Sequence, residues 1–271
     1  MSNDLTIQNS NNTGVVAGDV LIPRLLLQQG MSDFVKERKA QMGDMVRSTD
    51  AQKLGDPETK MEFIPLSQPI GTWIESYKPE GFTKFKYKRR IARTAANDRS
   101  RFDYYVSTDP ATGVETEYDT PVANSVPHKR VKCLSLYILL PQDIAAFELE
   151  KKKAMEGGIP DVSKALAPLM VEFRSTSFNA GKELTTFYTQ TLQFGAKPYQ
   201  YVLKLGCSLE SNGDNSFYVY NVDRSKITTV SPAYMAQVEY WANIVRNPNS
   251  LKIDDSVDST EPSTSSDNIP F

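Results

Sequence analysis

Between Lys78 and Arg101 the chain carries nine bases, Lys78, Lys84, Lys86, Lys88, Arg89, Arg90, Arg93, Arg99 and Arg101, against two acids, Glu80 and Asp98. Phe82, Phe85 and Tyr87 are interleaved with them. Side chains alternate across an extended strand, so Lys84, Lys86, Lys88 and Arg90 are expected on one face and Phe85, Tyr87 and Arg89 on the other. Like charges at this density repel one another, and a polyanion such as a phosphate backbone relieves the repulsion. Aromatic rings supply the complementary chemistry, because any unpaired base can stack on them at about 1–3 kcal/mol per base. The candidate nucleic-acid contacts are Lys84, Phe85, Lys86, Tyr87, Lys88, Arg89, Arg90, Arg93, Arg99, Arg101 and Tyr104. Tyr105, Tyr188, Tyr199, Tyr201, Tyr218 and Tyr220 are further possible platforms, since a tyrosine ring can stack while its hydroxyl stays wet. The competing reading is a solvated basic strand laid over an ordinary core.

Residue types that catalyse are scarce. The one histidine, His128, stands between Pro127 and Lys129-Arg130 and reads as part of a solvated basic turn. General acid and base work by histidine would rest on that single ring. Cys133 and Cys207 are far apart and supply no closely spaced pair of zinc ligands, and neither a metal nor a cofactor is expected. The stretch AGKEL, 180–184, mimics the end of a phosphate loop, but Thr176 stands where its first glycine belongs and Glu183 where Ser or Thr belongs. DPETK, 56–60, reads as a surface turn rather than an acidic nuclease cluster. No enzyme is expected.

The elements that must position the basic stretch are mostly strands. MEFIPL, GTWIESY, FTKFKYKRR and RFDYYVS are short β-type runs, the last ending at the turn DPATG. Residues 92–101, ARTAANDRSR, are small, polar and basic, and are expected to form a hairpin tip able to close over a bound strand. VKCLSLYILL follows, with Leu134, Leu136, Ile138 and Leu140 alternating as an inward face. QDIAAFELEKKKAMEGG predicts a helix closed by glycine. LMVEFR, LTTFYTQTLQF, YQYVLKLGCSL and SFYVYNV read as strands, with Asn212-Gly213 as a hairpin turn between the last two. A final helix is expected from Ser231, with Pro232 in its first turn and Tyr234, Val238, Trp241 and Val245 on one face. Near the start, VLIPRLLLQQG is read as the onset of order and DFVKERKAQMGDMV as a short helix followed by a strand.

The fold class expected is therefore mainly β with a few helices: an elaborated barrel of the oligonucleotide-binding type, with a β-sandwich as the alternative. Hydrophobic residues make up 39% of the 271 residues, enough for one substantial core. Residues 1–19 read as a flexible arm, 20–249 as a single domain with insertions, and 250–271 as a disordered acidic tail. No apolar run is long enough to span a bilayer, and the first residues lack the regions of a signal peptide, so an intracellular protein is expected. From Asp254 onward there are five acids and no base, leaving 31 bases against 28 acids in residues 1–253. A basic body with an acidic tail points to nucleic acid.

The tail ends in Asp267-Asn268-Ile269-Pro270-Phe271, which resembles the C-terminal tip of bacterial single-stranded DNA-binding proteins, with Asn268 where one acid is expected. The size and strand order of the body look like those of the larger single-stranded DNA-binding proteins of tailed phages. The resemblance implies that Ile269, Pro270 and Phe271 dock in an apolar pocket of replication or repair enzymes and that Asp267 meets its basic rim. It implies a setting in the cytoplasm of a bacterial host. The function expected is sequence-tolerant binding of single-stranded DNA in replication, recombination or repair, and the alternative is a recombination mediator whose main ligand is another protein.

Overall fold

The computed structural model describes residues 21–94, 103–213, 215–246 and 252–253. Its organising element is β10, Ser125–Leu139, a strand of 15 residues that serves four partners. One edge pairs with β8 (Asp103–Thr108) and then with β11 (Leu169–Arg174); the other pairs with β6 (Ile70–Tyr77) and then β5 (Met61–Pro65). From this hub one path runs through β5 to β12 (Tyr201–Asn212) and β13 (Asn215–Thr229). Another runs through β11 to β2 (Arg24–Leu27), β3 (Met45–Arg47) and β4 (Lys53–Gly55). With β7 (Lys86–Ala92) beside β6, and β9 (Glu115–Tyr118) beside β8, twelve strands share one sheet among the described residues. A two-stranded parallel pair, β1 (Leu21–Ile22) and β14 (Lys252–Ile253), stands apart.

The chain is thus mainly β with a few helices, as the alternating runs predict. The ladders do not confirm the expected barrel: the path from β13 to β4 stays open among the described residues. The central strand is also covered on both faces rather than one. Leu134, Leu136, Ile138 and Leu140 pack with Leu184 and Phe187 of α3 (Phe178–Gln193), while Tyr137 and Leu139 pack with Ile144 of α2 (Pro141–Met155) and Val238 of α4 (Met235–Val245). A short α1, Asp33–Lys36, precedes β3 as expected. Helix α2 ends before Gly157, whose φ of +85° supplies the left-handed stop. No described helix is long and apolar enough to cross a membrane.

The main correction concerns residues 184–194, read as a strand: 184–193 lie inside α3 and Phe194 is its C-cap. Ala180, Gly181, Leu184, Phe187 and Thr191 are buried, a spacing of one helical face. The β-branched threonines are accommodated by their hydroxyls: Thr185, Thr186, Thr189 and Thr191 each donate to the carbonyl four residues back, at 2.8–3.0 Å. Gly181 lets the helix approach the sheet, because a Cβ there would meet Leu134 Cδ1 at 2.9 Å and Phe173 Cβ at 3.0 Å. AGKEL is accordingly a turn of helix and not a phosphate loop.

Candidate nucleic-acid interface

Strands β7, β6, β10, β8 and β9 lie in that order, so β7 and β9 are the two edges of a five-stranded lobe. Flat, edges four spacings apart would stand about 19 Å from one another. Yet Lys88 Nζ on β7 reaches Glu115 Oε1 on β9 at 2.7 Å, and Arg89 reaches the same carboxylate at 3.5 Å. The lobe is therefore rolled, its edges joined through side chains.

Inside the roll three cations meet three carboxylates. Glu75 on β6, 1% exposed, accepts from Arg89 Nε at 2.7 Å and from the Tyr104 hydroxyl. Arg130 on β10 grips Glu117 of β9 at 2.6 Å and lies 3.7 Å from Glu75. Burial alone would raise the Glu75 carboxyl, but Tyr104, Arg89 and Arg130 outweigh it and hold it below the ordinary value. His128, expected in a solvated turn, is a buried strand residue between the rings of Tyr77 and Tyr104, with centroids at 5.9 and 5.4 Å. Lys88 Nζ lies 3.2 Å from its Nε2. An ammonium only donates, so Nε2 accepts and the proton sits on Nδ1, directed at the Val126 carbonyl 3.0 Å away. Desolvation pushes the His128 pKa down.

The uniform face of cations expected along β7 does not form. The strand begins at Lys86, and a bulge sets Lys88 opposite no partner, since Arg89 pairs with Glu75 and Tyr87 with Ser76. Alternation breaks there: Lys88 and Arg89 both reach carboxylates of the lobe, Arg89 staying half exposed, while Arg90 goes to the other face and joins Glu172 with Arg24 and Arg174. Burial would raise Glu172, but Arg174, Arg24 and Arg90 hold it well below the usual carboxylate range. Lys84 and Phe85 precede the strand, and Lys86 Nζ sits 4.0 Å from the Phe82 ring centre. Tyr104, Tyr199 and Tyr220 are buried and serve as core rather than platforms. Arg99, Arg101, the tip at 95–102, and Asp267, Ile269, Pro270 and Phe271 lie outside the described residues.

Arg93, just past β7 and bonded through its N–H to the Gly71 carbonyl at 3.0 Å, leads to a different place. It lines a hollow of about 620 Å³ between the sheet and α3, with Lys132 and Leu134 of β10 and Phe178, Lys182, Thr185 and Thr186 of α3. No Asp or Glu is among these lining residues. The guanidinium of Arg93 and the ammonium of Lys132 both lie over buried Trp73, at 5.9 and 5.4 Å from its ring, and Lys182 lies 5.3 Å from the Phe178 ring. Positions 178, 182, 185 and 186 form one helical stripe, the exposed counterpart of the buried one. That spacing is present in the sequence, but reading 184–194 as a strand conceals it and leaves Phe178 and Lys182 unassigned to a site; Lys132 lies on β10, where the strand is read correctly and its cation is not singled out. The hollow thus gathers three cations, one aromatic ring and two hydroxyls.

Comparison with protein-family models, curated proteins and solved structures finds no match to this chain.

Proposed function

We propose that this chain is a sequence-tolerant single-stranded DNA-binding protein, acting without catalysis in DNA replication, recombination or repair, whose acidic tail recruits partner proteins. The observation that carries the reading is the hollow, where Arg93, Lys132 and Lys182 line one concave surface together with Phe178. Cations so placed meet successive phosphates of an extended strand, and the adjoining ring offers a stacking surface to an unpaired base. Trp73 supports the site from beneath, its ring face favouring the positive charge of Arg93 and Lys132. A duplex keeps its bases stacked on one another and gains only the phosphate contacts.

The test is fluorescence anisotropy with a labelled single strand and the matching duplex over a series of salt concentrations. The single strand is expected to bind more tightly. Its log K should fall linearly with log[salt], with a slope of about −0.7 per phosphate contacted. Binding that ignores salt, or that favours the duplex, overturns the reading.

A further inference from the structure

Strand β9 is held to β8 by its backbone and, among the described residues, to the rest of the lobe by side chains. Its alternate residues Glu115 and Glu117 share one face, about 6.6–6.8 Å apart. Both reach cations: Glu115 meets Lys88 and Arg89 of β7, and Glu117 meets Arg130 of β10. Carboxylates spaced evenly along an extended chain repeat the charge pattern of an extended polynucleotide. The cations so covered continue a row that is open at its other end. Lys86 pairs with Tyr77 and Arg89 with Glu75, and directly paired residues point the same way, so the bulge leaves Lys86 and Arg89 on one face of β7. Lys86 is exposed, and its ammonium lies 4.0 Å from the ring centre of Phe82, itself 52% exposed. Along β7 an accessible ring and cation are thus followed by two cations under a carboxylate.

We propose that this face of β7 is a second, latent track for a single strand, and that β9 covers its inner end as an internal substitute for phosphates. A base stacks on Phe82, one phosphate meets Lys86, and the next takes the place of Glu115 on Lys88. In the parent chain that last step exchanges one ion pair for another at little net gain, so the hollow binds and the covered end of the track stays closed. The track rests on the single-strand binding proposed above and adds to it a site that the hollow does not contain.

The test follows the anisotropy of a labelled single strand titrated with the full chain over a salt series, with denaturant midpoints read on the same preparations. Glu115→Gln uncovers Lys88; it should raise affinity about eightfold at 50 mM salt and steepen the salt slope by about 0.7, one phosphate contact. Lys88→Gln should leave the parent's binding unchanged, yet in the Glu115→Gln chain it should return affinity and slope to the parent values. Glu156→Gln removes one charge from the exposed end of α2 and should leave the slope where it is. Glu115→Thr, a residue suited to a strand, gives the same reading if the amide variant loses its fold. A slope unchanged by the loss of Glu115, a gain that survives Lys88→Gln or is matched by Glu156→Gln, or a parent weakened by Lys88→Gln overturns the covered track and leaves single-strand binding standing. A parent that binds no single strand overturns single-strand binding, and the track with it.

Discussion

His128 is the residue whose chemistry is most exposed to test, because the chain holds no second histidine. Buried between Tyr77 and Tyr104, with Lys88 on Nε2 and Glu75, Glu115 and Arg130 nearby, it is held neutral, its pKa below the ordinary 6.5. A proton arriving at Nε2 would cost the Lys88 hydrogen bond and set two cations against each other. The unfolded chain takes up that proton near pH 6.5, whereas the folded chain resists it until a lower pH. The stabilisation is therefore complete above 6.5 and is lost as pH falls from there through the folded value. Glu75 and Glu115 have depressed pKa values and lose their contribution only at lower pH. Asp143, raised by burial, acts in the opposite sense, gaining stability on acidification. Denaturant midpoints measured from pH 8 to 5.5 are expected to decline for the parent and to stay flat for His128→Phe, which keeps the ring stack and removes the titration. A parent curve flat through that interval contradicts a buried neutral imidazole.

Among the elements, β13 carries the greatest liability, as the last strand of the sheet path, with no strand beyond it among the described residues. Such edges recruit further strands unless something occupies them. Here side chains do: the Gln29 amide donates to the Tyr218 carbonyl at 2.8 Å and accepts from the Tyr218 N–H at 2.9 Å, and the Ser177 hydroxyl accepts from the Tyr220 N–H at 3.1 Å. Gln29 thus imitates one residue of a neighbouring strand. Gln29→Ala is expected to lower stability by about 1–3 kcal/mol, two partly buried hydrogen bonds at about 0.5–1.5 kcal/mol each. It should also produce concentration-dependent association in sedimentation velocity, and a variant as stable and monodisperse as the parent would remove the capping role. Neither Gln29 nor Ser177 betrays this in sequence, because the pairing spans much of the chain. The strands themselves were legible, since alternation is local; β5, β6, β8, β11 and β12 fall where their apolar runs place them. What escaped depends on distant partners. The bulge at Lys88 exists only against β6, the carboxylates that engage Lys88, Arg89 and Arg90 come from β9, β6 and β11, and the helical state of Thr185–Thr191 is set by the packing of Gly181, Leu184 and Phe187 on β10.

On the scale of the whole molecule, the modest excess of base over acid in residues 1–253 is distributed unevenly, and on the proposed function that distribution separates folding charges from binding charges. Within the rolled lobe Lys88, Arg89 and Arg130 are matched by Glu115, Glu75 and Glu117, so these cations hold strand edges together and have little field left for a ligand. At the hollow Arg93, Lys132 and Lys182 share one lining with an aromatic ring. Sequence density alone points to the first group, whereas the geometry points to the second. The two assignments part under a pair of matched substitutions. Arg89→Gln deprives Glu75, 1% exposed, of its hydrogen-bonded cation; it should lower unfolding free energy by about 1–3 kcal/mol while leaving single-strand affinity and its salt slope nearly unchanged. Lys182→Gln removes an exposed cation over Phe178; it should shift stability by no more than about 0.5 kcal/mol yet weaken single-strand binding and reduce the salt slope by about 0.7, one phosphate contact. Denaturant titration and anisotropy on the same two preparations read both effects. If Arg89→Gln instead weakens binding with an altered slope and Lys182→Gln leaves binding intact, the strand lies across the basic stretch of β7 and not in the hollow.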